Sequence, residues 1–189
     1  MSGTPIYERV ALIGLGLIAS SMFWAMKRHG LAGEVTGFAR STETRATARD
    51  IGLCDRVCDS AVEAVEGADL VVLSVPFGKA GSLPYDLFDG VVVVDAMNYW
   101  APVDGKIEAV EADLRSSSEI IADNNPRARW VKSLNHLGYH DMEDDPLPSA
   151  HPGRRAVGIA TDDPEAGEIV GELVDHIGFD PVVVGSLAM

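Results

Sequence analysis

The chain has 189 residues, a formal charge of −14, a 47% hydrophobic fraction and a mean hydropathy of +0.09. That length suits one α/β domain rather than two, and buries about 70% of the unfolded surface without disulfide staples. The acidic balance argues against nucleic acid and anionic membranes as partners, so any phosphate ligand must be met by local donors.

No apolar run approaches the roughly 20 residues that span a bilayer. Charged Glu8 and Arg9 precede the first apolar run, unlike a signal peptide, so a cytoplasmic protein is expected. Cys54 and Cys58 read as small apolar residues rather than a disulfide framework or a zinc site. A metal site is not expected. His136 and His140 lie four apart with acids behind them, but Gly138 falls between and the segment reads as loop.

Strands and helices alternate along the chain. Strands are predicted at Arg9–Ile13, Glu34–Ala39, Arg56–Cys58, Leu70–Val75, Val91–Asp95, Trp130–Leu134, Ala156–Ala160 and Pro181–Val184. Most are continuous aliphatic runs, as in a parallel sheet covered on both faces. Helices are predicted at Leu17–His29, Thr42–Ile51, Ala61–Val65, Gly105–Ile121 and Pro164–Ile177. The last has Asp163 before Pro164 at its start and Gly178 at its end. The expected fold is a Rossmann-type, doubly wound, mostly parallel sheet forming a single domain over 1–189. Asn135–Arg155 breaks the alternation with three prolines and reads as a loop beside the active site.

Val10–Ala19 spells strand, tight turn and helix start in the pattern GxGxxA. Gly14 permits the turn and Gly16 lets a pyrophosphate approach the backbone. Ala19 lets the helix pack closely on the strand, while Leu15, Leu17 and Ile18 complete the loop. Amides at that helix start face the phosphates, where the helix dipole favours negative charge. An NAD site places Asp or Glu about 20 residues on, against the ribose 2′-hydroxyl. Here that position is Ala39, followed by Arg40, Ser41 and Thr42, with Arg45 one turn later. A guanidinium and two hydroxyls suit a 2′-phosphate, so NADP(H) is the expected cofactor.

Two later stretches refine the picture. The segment Gly67–Pro76, with Val10–Ser21, resembles the nucleotide domain of prephenate dehydrogenases and also the NADPH:coenzyme F420 oxidoreductases. The second half tilts toward the latter. Asp95-Ala96-Met97-Asn98, Pro126–Asn135, Asp162–Ala166 and Gly178–Val182 are similar to that family's segments. The resemblance implies hydride transfer between the nicotinamide and a deazaflavin, coenzyme F420. It places Ser74, Val75, Pro76 and Phe77 over the ribose and nicotinamide, and adds Ala96 and Asn98 to the cofactor site. Trp100, Asn135, His136 and Leu187 would line the second-substrate pocket, with Asn135 and His136 the candidate catalytic residues. Arg127, Arg129, Arg154 and Arg155 would meet an anionic deazaflavin tail. The expected partners are a small-molecule redox acceptor and a second copy of the chain as a homodimer. Two alternatives stay open. One is an NADP-dependent dehydrogenase or imine reductase of a small organic substrate, with His136 or Tyr99 as proton donor. The other is a non-catalytic NADP-binding module.

Overall fold

The computed structural model describes residues 4–188. Eight strands form one sheet: β1 (Tyr7–Ile13), β2 (Ala32–Phe38), β3 (Arg56–Val57), β4 (Leu70–Leu73), β5 (Val92–Asp95), β6 (Arg129–Lys132), β7 (Ala156–Thr161) and β8 (Asp180–Gly185). Their order is β3-β2-β1-β4-β5-β6-β7-β8. Strands β1 to β6 pair in parallel, β7 runs antiparallel to β6, and β8 is parallel to β7. The sequence order reverses between β1 and β4, so a crevice opens there at the carboxyl ends of the strands.

The helices are α1 (Leu17–His29), α2 (Thr42–Asp50), α3 (Ala61–Val65), α4 (Ala101–Asp104), α5 (Glu108–Glu111), α6 (Ser117–Ala122), α7 (Asp141–Asp144) and α8 (Pro164–His176). Two core layers flank the sheet. One packs α1 and α8 through Met22, Met26, Val170 and Leu173 against Val10, Leu12, Val72 and Val94. The other packs Phe77, Phe88 and Ile121 against Ala11, Val71 and Val93. The alternate residues of each central strand thus face opposite apolar layers, which is why those runs read as continuously apolar. Both cysteines are buried free thiols, and burial pushes the Cys54 thiol up to about 12.

One helix departs from expectation. Gly105–Ile121 is not a single helix but α5 and α6 with a turn between them. Side chains in that turn compete for the backbone. The Arg115 amide donates to Asp113 Oδ1 at 2.9 Å. Ser116 and Glu119 form a reciprocal capping box that starts a new helix at residue 117. Two 3-10 turns at Phe77–Ser82 and Tyr85–Phe88 also follow β4 where no element was expected. Within Asn135–Arg155, α7 is the one regular element among the described residues.

The α8 start is tied to β6. Asp163 accepts the Ala166 amide at 3.0 Å and Arg129 Nε at 2.6 Å, and the guanidinium holds its carboxyl down at about 2. A carboxyl depressed in the fold stabilises it above the unfolded value near 3.8, and that contribution fades as pH falls from there toward 2. Asp163→Ala is therefore expected to cost about 1–2 kcal/mol near neutrality. Urea midpoints for the variant and the parent should converge as the pH falls to about 2.

Candidate functional site

The glycine turn is braced from three sides. Gly14 has φ of +97°, its amide donates to Phe38 O at 2.9 Å, and the Ser74 hydroxyl donates to Gly14 O at 3.0 Å. A Cβ on Gly14 would stand 2.6 Å from Ser74 O. Gly16 differs, because a Cβ there would meet nothing within 4 Å. That empty volume sits at the N-terminus of α1, whose first turn carries no acid. The loop therefore fits a pyrophosphate: free amides, a positive helix end and open space above the second glycine. Ala19 is fully buried, Ile18 half-buried and Leu17 exposed.

A cavity of about 470 Å³ opens between this turn and the ends of β2 and β4. Gly14, Leu15 and Gly16 form its floor, Arg40 and Ser41 one wall, and Ser74, Val75 and Pro76 the other. Arg40 Nη1 donates to Ser82 Oγ at 3.2 Å, and Ser41 caps α2 by accepting the Thr44 amide at 3.3 Å. Lys79 and Ser82 line the same cavity from the first 3-10 turn. Sequence reasoning missed both. Their signal was the spacing after Val75-Pro76, legible only once β4 lies beside β1.

Two residues assigned to the 2′-phosphate stand elsewhere. Arg45 Nη1 donates to the Ala39 and Arg40 carbonyls at 2.7 and 3.0 Å, and its Nε lies 3.3 Å from Asp59 Oδ1. It stacks 5.6 Å over the Phe38 ring, bracing the loop from behind. Thr42 is exposed on α2, and Thr44 takes the place on the cavity wall. Phe77 is buried against Tyr99, ring centroids 5.6 Å apart, and Ala96 is buried too, so both support the site from within the core.

A second cavity of about 330 Å³ lies past the ends of β5 and β6. It gathers Asn98, Asn135, His136 and Leu187, three of them proposed for the second substrate. Trp100 is not among them and stands 61% exposed. The two asparagines clasp each other: Asn98 Nδ2 donates to Asn135 O at 2.6 Å, and Asn135 Nδ2 to Asn98 Oδ1 at 3.1 Å. Leu134, fully buried with φ of +63°, turns the chain so that Asn135 reaches back across β5. His136 Nε2 accepts the Gly158 amide at 3.2 Å, which places the ring proton on Nδ1. Burial lowers its pKa, helped by Arg155 and Lys132, so the ring is neutral near pH 7.

The remaining polar candidates are already engaged. Arg127 pairs with Asp89, Arg129 with Asp163 and Glu165, Arg154 with Asp175 and Asp180, and Arg155 with Asp141 and Asp145. An acidic chain ties up its arginines in this way, so none of these four is a ready binder of an anionic tail. The Tyr99 hydroxyl contacts Gly105 O, Glu111 and the Ile107 amide at 3.0–3.1 Å. By contrast, neither Arg40 nor Lys79 has a carboxylate partner among the described residues. A cavity of about 710 Å³ between α8 and β8 is bordered by Glu168, Glu172 and Asp175 and suits no phosphate.

This geometry has counterparts. Residues 9–99 match the family described as NADP oxidoreductase, coenzyme F420-dependent. The resemblance to that family is thus carried by β1 through the end of β5. The chain is 29% identical over 165 residues to the cyclohexadienyl dehydrogenase of Zymomonas mobilis, covering 83% of this chain and 55% of that one. It is 34% identical over 97 residues to a prephenate dehydrogenase of Lactococcus lactis, covering 47% and 26%. The chain therefore spans about half, or less, of the length of these curated relatives. Among solved structures, a proposed F420-dependent NADP-reductase of Arthrobacter sp. superposes with TM-score 0.75 at 20% identity, covering 96% of this chain and 86% of that one. At that identity the likeness concerns the fold, an NAD(P)-binding Rossmann sheet. No helix among the described residues is long and apolar enough to cross a membrane.

Proposed function

We propose that the chain is an NADP(H)-dependent oxidoreductase that moves a hydride between NADPH and a deazaflavin of the coenzyme F420 type. The observation that carries the cofactor choice is that Arg40 and Lys79, neither with a carboxylate partner among the described residues, both line the 470 Å³ cavity where an NAD site would hold a carboxylate. The match over residues 9–99 supports the deazaflavin. When bound, NADPH supplies the hydride, and the chain's own residues do the rest. Gly14 to Ala19 seat the pyrophosphate, Arg40, Lys79 and Ser41 hold the 2′-phosphate, and Ser74 fixes the loop that orients both. Positioning of this kind, with water kept out, is what two redox cofactors require of a protein.

The rival reading, a dehydrogenase or imine reductase using His136 or Tyr99 as proton donor, is less well supported by the site. His136 is neutral with Nε2 engaged, and the Tyr99 hydroxyl has three partners. The deciding test is NADPH oxidation at 340 nm with coenzyme F420 as acceptor, against a panel of cyclic imines and ketones. Saturable turnover with F420 is expected. Turnover with imines alone would replace the reading, and tight NADPH binding without any turnover would favour a binding module.

Arg40→Glu tests the cofactor assignment alone. A lost charge-assisted bond is worth about 1.5–3 kcal/mol, so NADPH should bind on the order of 10- to 100-fold more weakly. NADH affinity should change less than threefold. Equal losses for the two nucleotides in a fluorescence titration would remove the 2′-phosphate from this wall.

A further inference from the structure

A buried ion pair stands behind the second cavity, and the functional reading above does not use it. Asp95 ends β5, Lys132 ends β6, and the two are register partners in the sheet. The Asp95 side chain is 3% exposed and fully engaged. Its Oδ1 accepts the Met97 amide at 2.9 Å, and its Oδ2 accepts the Ser118 hydroxyl at 2.8 Å and Lys132 Nζ at 3.2 Å. Lys132 Nζ also donates to the Met97 carbonyl. An ammonium has three N–H groups, and these contacts use two. That leaves one N–H without a partner on a side chain that helps to line the 330 Å³ cavity.

Two features make that N–H exceptional. First, Lys132 is the one charged side chain on the cavity wall; the others are asparagines, serines, His136 and apolar groups. In a chain of charge −14, this wall is lined by no carboxylate. His136, neutral and bonded to the Gly158 amide, cannot supply a positive charge in its place. Second, the pair sits level with the cofactor turn. Ile13, Leu73, Asp95 and Lys132 form one row across β1, β4, β5 and β6. With strands about 4.8 Å apart, Lys132 lies roughly 10 Å beyond Leu73. A dinucleotide whose pyrophosphate sits over β1 extends its nicotinamide along this row, so the acceptor stacks near β5 and β6.

We propose that Lys132, locked by Asp95 and Met97 O, donates its third N–H to the acceptor heteroatom that becomes negative during hydride transfer. The inference rests on the oxidoreductase reading. In the step, the acceptor carbon gains a hydride from the dihydronicotinamide, which is oxidised to the nicotinamide cation. The conjugated electron pair moves onto a nitrogen or oxygen of the acceptor, and that atom takes a proton from solvent. A preorganised ammonium at the developing charge stabilises the transition state more than the ground state. Asp95 is a positioning residue: it keeps the side chain in one rotamer and cancels the cost of holding its charge half-buried. The acceptor class is therefore one with a carbonyl or imine conjugated to the hydride-accepting carbon, which the deazaflavin ring contains.

The test uses the full chain with NADPH, coenzyme F420 and a panel of cyclic imines. Lys132→Met alone would leave a buried carboxylate unpaired, so the informative variant is Asp95→Asn with Lys132→Met, compared with Asp95→Asn alone. The double variant is expected to lose at least 100-fold in single-turnover hydride transfer with less than a threefold change in NADPH dissociation constant. Asp95→Asn, which keeps the ammonium, is expected to lose about tenfold. A second readout needs no turnover. In protein labelled with ¹⁵N at the lysine side chains, the Lys132 signal, assigned by its loss in Lys132→Arg, should shift when oxidised F420 joins the NADP⁺ complex. A double variant as fast as the parent, or a Lys132 signal that F420 binding leaves in place, overturns the inference while the oxidoreductase reading stands. A parent chain that turns over imines but not F420 removes the deazaflavin, and Lys132 is then judged by the same variants on the imine. A parent chain inert toward every acceptor overturns both.

Discussion

Replacing Gly14 by alanine is expected to abolish measurable NADPH binding and to destabilise the fold by about 2–4 kcal/mol. Two costs add at one atom. The backbone sits at φ +97°, where a side chain strains, and the new Cβ would stand 2.6 Å from Ser74 O and 2.8 Å from Val75 Cγ1. Neither neighbour can move freely. The Ser74 amide donates to Ile13 O at 2.9 Å, so shifting it disturbs the junction of β1 and β4 where the crevice opens. Gly16→Ala separates structure from binding. Its Cβ meets no protein atom within 4 Å, so thermal stability should change by less than about 0.5 kcal/mol. Yet that Cβ occupies the volume the pyrophosphate needs, and affinity should fall at least tenfold. Calorimetric unfolding and a nucleotide titration on both variants read the contrast. A Gly16→Ala protein that binds NADPH as the parent does would show that the phosphates lie elsewhere.

The same turn shows what the sequence alone makes legible. The glycines, the aliphatic strands and the spacing of α1 are local facts, and locality is what sequence periodicity records. The antiparallel β7, the break at Ser116 and the two 3-10 turns are different in kind. The break at Ser116 depends on side chains that compete with regular structure, Asp113 and Glu119, and the direction of β7 is set by its partner strand in the folded sheet. The site divides in the same way. Arg40 and Ser41 follow β2 directly and could be read from it. Lys79 and Ser82 arrive from β4, which is adjacent to β1 only in the folded sheet. Arg45 carried the right charge, but the carbonyls of Ala39 and Arg40 hold it behind the loop. Among the arginines of the second half, charge was again visible and direction was not. Seven carboxylate partners decided it for the four arginines, and no spacing rule predicts partners 10 to 38 residues away.

Asp95 is where stability and site converge. Asp95→Ala is expected to cost about 3–5 kcal/mol, the range for removing one partner of a buried pair. The substitution leaves three donors facing a void: the Met97 amide, the Ser118 hydroxyl and the Lys132 ammonium, all now without their acceptor. For a domain of this size that corresponds to a fall in Tm of about 10 °C. The loss should be local in origin, since Asp95 joins β5 to β6 and fastens α6 through Ser118. Hydrogen exchange should therefore quicken first at β6 and α6, before β1 and β2. Removing both charges is gentler. Asn at 95 still accepts the Met97 amide through Oδ1 and can donate from Nδ2 to the Ser118 hydroxyl oxygen, and Met at 132 fills the space of the lysine stem. The double variant should recover at least half of the alanine variant's loss. If instead Asp95→Ala melts within 2 °C of the parent, water reaches the pair freely and the carboxylate is dispensable to the fold. If the double variant is as unstable as Asp95→Ala, the ion pair itself, rather than the satisfaction of its donors, holds β5 and β6 together.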